Sequence, residues 1–111
     1  MKSVKLARQA EARLEEIARW TIERFGLAQA EKYELRLIDR LDALSKGEPP
    51  HGQSCEALLA GKPEANGLLF VREGGHYIIY KEFDDLIVVI DFIHGVRDLE
   101  AILADLIDSN P

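Results

Sequence analysis

Cysteine is nearly absent from this chain. Cys55 is the only one in 111 residues. No internal disulfide can form, and a lone thiol of this kind behaves as a small hydrophobe. Long apolar runs are also missing. Nothing approaches the roughly 20 residues of a membrane span, and the start, Met1-Lys2-Ser3-Val4-Lys5-Leu6, has no extended apolar segment for a secretion signal. Zinc-type Cys/His spacing, a phosphate-cradling glycine loop and a Gly-x-Ser-x-Gly elbow are all lacking. Neither a repeat nor a low-complexity tract is present. The expectation is a soluble, cytoplasmic protein with no membrane segment, metal or cofactor.

Positive charge is scarce in the second part of the chain. Residues 41–111 hold five Lys/Arg against thirteen Asp/Glu, whereas residues 1–40 hold nine against seven. A protein that neutralises phosphates needs a basic face. Such a face would have to use Arg13, Arg19, Arg24, Lys32, Arg36 and Arg40. Direct nucleic-acid binding is not expected, because solvated helices of mixed charge account for the same pattern.

Apolar residues make up 47% of the chain, enough for one core and one domain spanning residues 1–111. They are densest between Gly75 and Gly95, where β-branched and aromatic residues suit a pleated surface. Gly74-Gly75 and Asp84-Asp85 supply two reversals. A three-strand meander follows over Leu68–Glu73, His76–Glu82 and Leu86–Ile93. Strict alternation sends Ile78, Tyr80, Ile87, Val89 and Ile93 one way. It sends Tyr77, Ile79, Phe83, Val88, Ile90 and Phe92 the other. A sheet with one wet face alternates apolar and polar residues; this one is apolar on both faces.

Upstream, Ser3–Ala7 reads as an entering strand. Leu14, Ile17, Ala18, Thr21, Ile22 and Phe25 then recur at helical spacing, and Gly26 fits the helix end. Ala30, Tyr33, Leu37, Ile38, Leu41 and Leu44 mark a second helix from Leu27 to Lys46, closed by Gly47. A connection this short makes an antiparallel helical hairpin. Glu48-Pro49-Pro50-His51-Gly52 is a rigid connector, Gln53–Leu59 reads as a short helical turn, and Gly61–Gly67 as a polar loop. Asp98 caps a last helix to Ile107, with Leu99, Ile102, Leu103 and Leu106 along one side. The fold class is α+β: a two-helix hairpin on a small, mostly antiparallel sheet, in the order β-α-α-β-β-β with a short C-terminal helix.

The polar candidates have plain structural readings. His76 and His94 lie on predicted strands and are expected to be packed and hydrogen-bonded, while His51 sits in the proline loop. Arg97-Asp98 reads as a turn and cap. Arg72 and Lys81 are balanced by Glu73 and Glu82 through cross-strand ion pairs. Tyr77 and Tyr80 are core aromatics whose hydroxyls reach a partner.

The order of these elements, with Gly75-His76-Tyr77-Ile78-Ile79-Tyr80, Ile87-Val88-Val89-Ile90-Asp91-Phe92-Ile93-His94-Gly95-Val96-Arg97-Asp98-Leu99 and Ala10-x-x-x-Leu14-x-x-Ile17, resembles the ParE/RelE superfamily of bacterial toxins, also called plasmid stabilisation proteins. The resemblance covers nearly the whole chain and is closer to the ParE branch. It implies a toxin of a type II toxin–antitoxin module that binds DNA gyrase without chemistry of its own and is neutralised by a cognate antitoxin. The alternatives are a RelE-type ribosome-dependent mRNA endoribonuclease, with His94 and Arg97 in the catalytic set, and a non-toxic relative acting as a binding module. Against the nuclease pattern, the strand start Leu68-Leu69-Phe70 is apolar and Gly95 stands where a tyrosine is wanted. Against the ParE pattern, Asp91 stands where arginine is common, and the nearest arginine to Leu69 and Phe70 is Arg72. Both departures remove positive charge from the sheet.

The apolar residues left over from one layer of helices suggest a partner surface. The expected contact residues are Tyr77, Ile79, Val88, Ile90 and Phe92 on the sheet, with Leu99 and Leu103 on the last helix. A disordered antitoxin segment that folds as it binds would cover them.

Overall fold

A computed structural model describes residues 1–55 and 67–95. Strand β1 (Ser3–Leu6) leads through Ala7 into helix α1 (Arg8–Phe25). Glu11 in the first turn and Arg24 in the last complement the helix dipole. Gly26, at φ 89°, ends α1 by donating its N–H to the Ile22 carbonyl. Its own carbonyl accepts from Ala30 and opens α2 (Leu27–Ser45). One residue therefore makes the whole helical hairpin, in a conformation that glycine adopts without steric cost.

The described residues add four more strands to the sheet: β2 (Gln53–Ser54), β3 (Leu68–Glu73), β4 (His76–Glu82) and β5 (Leu86–His94). Their order is β1-β5-β4-β3-β2. Among the described strands only β1 runs parallel to its neighbour, with Ser3 opposite Leu86 and Leu6 opposite Val89. Gln53–Ser54 pairs with β3, opposite Phe70 and Leu69, so an edge strand stands where the sequence pattern suggested a helical turn. The proposed C-terminal helix, and with it Arg97, Leu99 and Leu103, lies outside the described residues.

The helices cover one face of the sheet. Ala10 and Ile17 from α1 and Leu37, Leu41 and Leu44 from α2 pack on Val71, Ile78, Tyr80, Ile87, Val89 and Phe92. The helical stripes run out towards the hairpin tip. Ile22 and Phe25 are 42% and 62% exposed, and Ile38 is exposed as well, although helical spacing put all three on the covered side.

Phe92 is the larger correction. Strict alternation placed it on one face with Val88 and Ile90, and placed Ile93 on the other with Ile87 and Val89. The register explains the exchange. Tyr80 is opposite Val89, but Ile79 is opposite Asp91, so Ile90 is an extra residue without a partner. One bulged residue reverses which side chains face which way from there on. Phe92 thus lies opposite Ile78 in the helix-side core, while Ile93 lies opposite Tyr77. Phe83 belongs to neither face; it is exposed beside the Asp84-Asp85 turn and donates its N–H to Leu86. A second buried set, Cys55, Leu68, Ile79 and Ile93, lies outside the helix-side cluster.

This arrangement predicts opposite outcomes for two phenylalanines that strict alternation places on one face. Phe92→Ala should cost about 3–5 kcal/mol in urea denaturation, because the ring is 1% exposed. Phe83→Ala should change stability by less than about 1 kcal/mol. Equal effects would contradict the bulged register.

Candidate functional site

Beneath the hairpin tip, the β3–β4 turn and the end of β5 meet α1 and α2 around a pocket of about 390 Å³. Its walls are Trp20, Thr21, Phe25, Gln29, Tyr33, Gly75, His76 and His94. Most of the lining is aromatic, with few polar groups, which is the usual composition of a ligand pocket.

Tyr33 organises the inner wall. Its hydroxyl oxygen accepts from the Gly75 N–H at 3.1 Å and lies 3.2 Å from the Glu73 carbonyl and 2.5 Å from His76 Nδ1. The hydroxyl has one proton for those last two neighbours. Tyr33 therefore ties α2 to both sides of the Gly74-Gly75 turn. Gly74 sits at φ 58°, and a Cβ there would lie 2.7 Å from the Tyr33 ring; the close approach and the left-handed backbone both require glycine. The Glu73 side chain receives Arg36 and Arg40 of α2, each at 3.0 Å. Burial raises the Tyr33 pKa above its ordinary value.

His76 is 6% exposed. Burial, and secondarily the neighbouring His94, lowers its pKa to about 4. The two imidazoles meet edge-on across β4 and β5, with ring centres 5.2 Å apart and planes at 82°. His94 also packs edge-on to Trp20 at 6.0 Å, and Trp20 to Phe25 at 6.0 Å. The Arg24 guanidinium covers the Trp20 ring at 5.0 Å.

A second polar cluster surrounds Asp91, which is buried. Its carboxylate accepts from Gln9 at 2.7 Å, Arg13 at 3.2 Å and the Phe92 N–H at 2.8 Å. Arg13 also pairs with Glu16 and has a raised pKa, chiefly through the Asp91 hydrogen bond. The negative charge that replaces arginine at this position is thus neutralised by α1.

Among the described residues, the expected partner residues do not form one surface. Tyr77 and Ile79 lie on the face away from the helices, opposite Ile93 and Asp91. Tyr77, Val88 and Ile90 are half-buried, Ile79 is fully buried and Phe92 is in the core. Phe70 packs on Tyr77 with ring centres 5.8 Å apart, and Arg72 stacks on Tyr77 at 5.3 Å. The ion pairs differ from the cross-strand pairing expected for Arg72 and Lys81. Glu73 pairs with α2, and Glu82 takes Lys2 at 2.7 Å. Of the seven basic residues on the helices, Arg13, Arg36 and Arg40 are ion-paired within the chain, which reduces the charge open to any acidic partner.

Sequence reasoning missed this pocket. Tyr33 was read only as part of a core stripe, and Trp20 was not singled out. The available signal was Trp20 itself, a large aromatic off the apolar stripe of an otherwise charged helix. Among the described residues, no three His, Cys, Asp or Glu side chains converge as a metal-ion cluster, and no helix is long and apolar enough to cross a membrane.

The buried His76 makes stability pH-dependent. Its folded-state pKa lies below the ordinary 6.5, so the unfolded chain takes up the proton first. The stabilisation is fully present above about pH 6.5 and is lost as pH falls towards about 4. Denaturation at pH 7 and pH 4.5 should differ by roughly 2–3 kcal/mol from this group. His76→Gln should flatten that part of the profile; an unchanged profile would contradict the burial.

The sequence profile of the ParE toxin of type II toxin–antitoxin systems, parDE, matches residues 4–99. Among solved structures, the chain is similar to one from the chromosomal ParDE system of P. aeruginosa. That match has 20% identity and a TM-score of 0.60, and covers 85% of this chain and 96% of the other. It is also similar to one from the RelBE2 toxin–antitoxin complex of Mycobacterium tuberculosis. Here the identity is 16% and the TM-score 0.48, over 84% and 96% of the two chains. No curated protein matches. The profile match takes in both helices and every described strand except Ser3, the first residue of β1: this chain belongs to the ParE toxin family of type II toxin–antitoxin systems.

Proposed function

We propose that this chain is the toxin of a two-protein module, that it acts by binding DNA gyrase, and that a cognate antitoxin neutralises it. The observation that carries the reading is the family match over residues 4–99, to which the ParDE structure adds the same fold. Binding without chemistry suits the sheet face away from the helices. Phe70, Tyr77, Val88 and Ile90 present half-buried apolar surface there, and Arg72 is engaged with Tyr77. A nuclease on that face would need cations for the phosphate together with an acid and a base.

We assign the antitoxin contact to Tyr77, Val88 and Ile90, with Leu99 and Leu103 added from the sequence pattern alone. These residues offer apolar area without a dense charge pattern, which suits a segment that folds as it docks. In this reading the protein works in the cytoplasm, where both gyrase and antitoxin are found.

Expressed alone, the protein should slow growth and induce DNA-damage signalling, and the purified chain should inhibit supercoiling by gyrase. Val88→Asp should weaken antitoxin binding at least about tenfold, because it places a charge in a desolvated contact, while leaving the far-ultraviolet spectrum unchanged. Cleavage of ribosome-bound mRNA that disappears in His94→Ala, with gyrase unaffected, would replace this reading by the nuclease.

A further inference from the structure

We propose that His76 and His94 form a two-imidazole site for a first-row transition-metal ion of the copper, nickel and zinc group, at the inner end of the pocket under the hairpin tip. Three features of the structure lead there. First, the two histidines are direct cross-strand partners on β4 and β5. Directly opposed positions hold their Cβ atoms about 5 Å apart, so both rings leave the sheet together on the helix side. Second, their ring centres are 5.2 Å apart. Two imidazoles bound through nitrogen to one tetrahedral ion at about 2.0–2.1 Å would have their centres roughly 5 Å apart. The observed spacing matches that of two imidazoles on one ion.

Third, His76 is held by an outer contact of the kind that orients ligating histidines. Its Nδ1 meets the Tyr33 hydroxyl at 2.5 Å, and that hydroxyl is fixed by the Gly75 N–H. Metal-bound histidines use their second nitrogen in this way, which sets the ring and leaves the other nitrogen, here Nε2, for the ion. The pocket supplies what two side chains cannot. At about 390 Å³ it has room for the water molecules that complete the coordination sphere, and Thr21 and Gln29 line it with neutral oxygens. Among the described residues no carboxylate or thiol lines it, which favours ions that prefer imidazole over calcium and magnesium. Copper(II) should bind tightest.

The site is independent of the gyrase reading and its test separates the two. Trp20 is the only tryptophan in the chain, and its ring centre lies 6.0 Å from that of His94, so copper at this position must quench its fluorescence. Chelator-treated protein is titrated with CuCl2, NiCl2, ZnCl2 and MgCl2. The expected result is quenching by copper that saturates at one equivalent, displacement of copper by excess zinc, and no effect of magnesium. His94→Ala should weaken copper binding at least about tenfold, and Tyr33→Phe about tenfold through loss of the orienting hydroxyl. His51→Ala should leave it unchanged. Without any variant, zinc should shift the imidazole nitrogen resonances of His76 and His94 and leave those of His51 in place. Undisturbed His76 and His94 resonances at saturating zinc would mean packed rings only and would overturn the proposal. So would quenching that survives His94→Ala in a folded protein or depends on His51.

Discussion

One extra residue in β5 decides what each face of this sheet presents. The segment from Leu86 to Ile93 is apolar at every position except Asp91, so hydrophobic pattern alone gives no preferred parity. The unpaired Ile90 sets it. Before that point, Ile87 and Val89 face the helices; beyond it, Phe92 does. The same reversal brings His94 to the helix side, opposite His76, and gives the pocket its inner wall. Without the bulge, Ile93 would occupy the core and His94 would face away. Packing, the histidine pair and the pocket all depend on that single irregularity.

Asp91 shows how the bulge is anchored. A carboxylate taken out of water must be paired and hydrogen-bonded, or its burial costs more than the fold can sustain. Here Gln9, Arg13 and the Phe92 N–H all donate to it. These bonds tie the start of α1 to the strand immediately after the unpaired residue. Across β4, Tyr33, Arg36 and Arg40 tie α2 to the Glu73–Gly75 turn. The hairpin is therefore fixed at two polar points, one on each helix, and its tip overhangs the sheet with Trp20 and Phe25 partly exposed.

Much of the fold was legible because local signals agreed with one another. Gly26 and Gly47 sit at φ 89° and 72° and close the two helices. Gly74 at 58° turns β3 into β4, so the three long strands fall where β-branched density and glycine pairs put them. Gln53–Ser54 was not legible, because a two-residue strand has no periodicity to read. The parallel pairing of β1 with β5 joins residues more than eighty apart, and no local pattern encodes such a contact. Phe92 and Ile93 were exchanged because alternation is a local rule and a bulge breaks it silently. The pocket was hidden for a related reason: Trp20, Tyr33, His76 and His94 come from four elements, and each alone reads as a packed side chain.

The bulged register is best tested by proton NMR on the isolated chain. The account predicts nuclear Overhauser effects between the ring protons of His76 and His94, and between Tyr77 and Ile93, since these are opposed pairs. Contacts from the His76 ring to the Ile93 methyl groups, with none to His94, would show an unbulged strand and contradict the account.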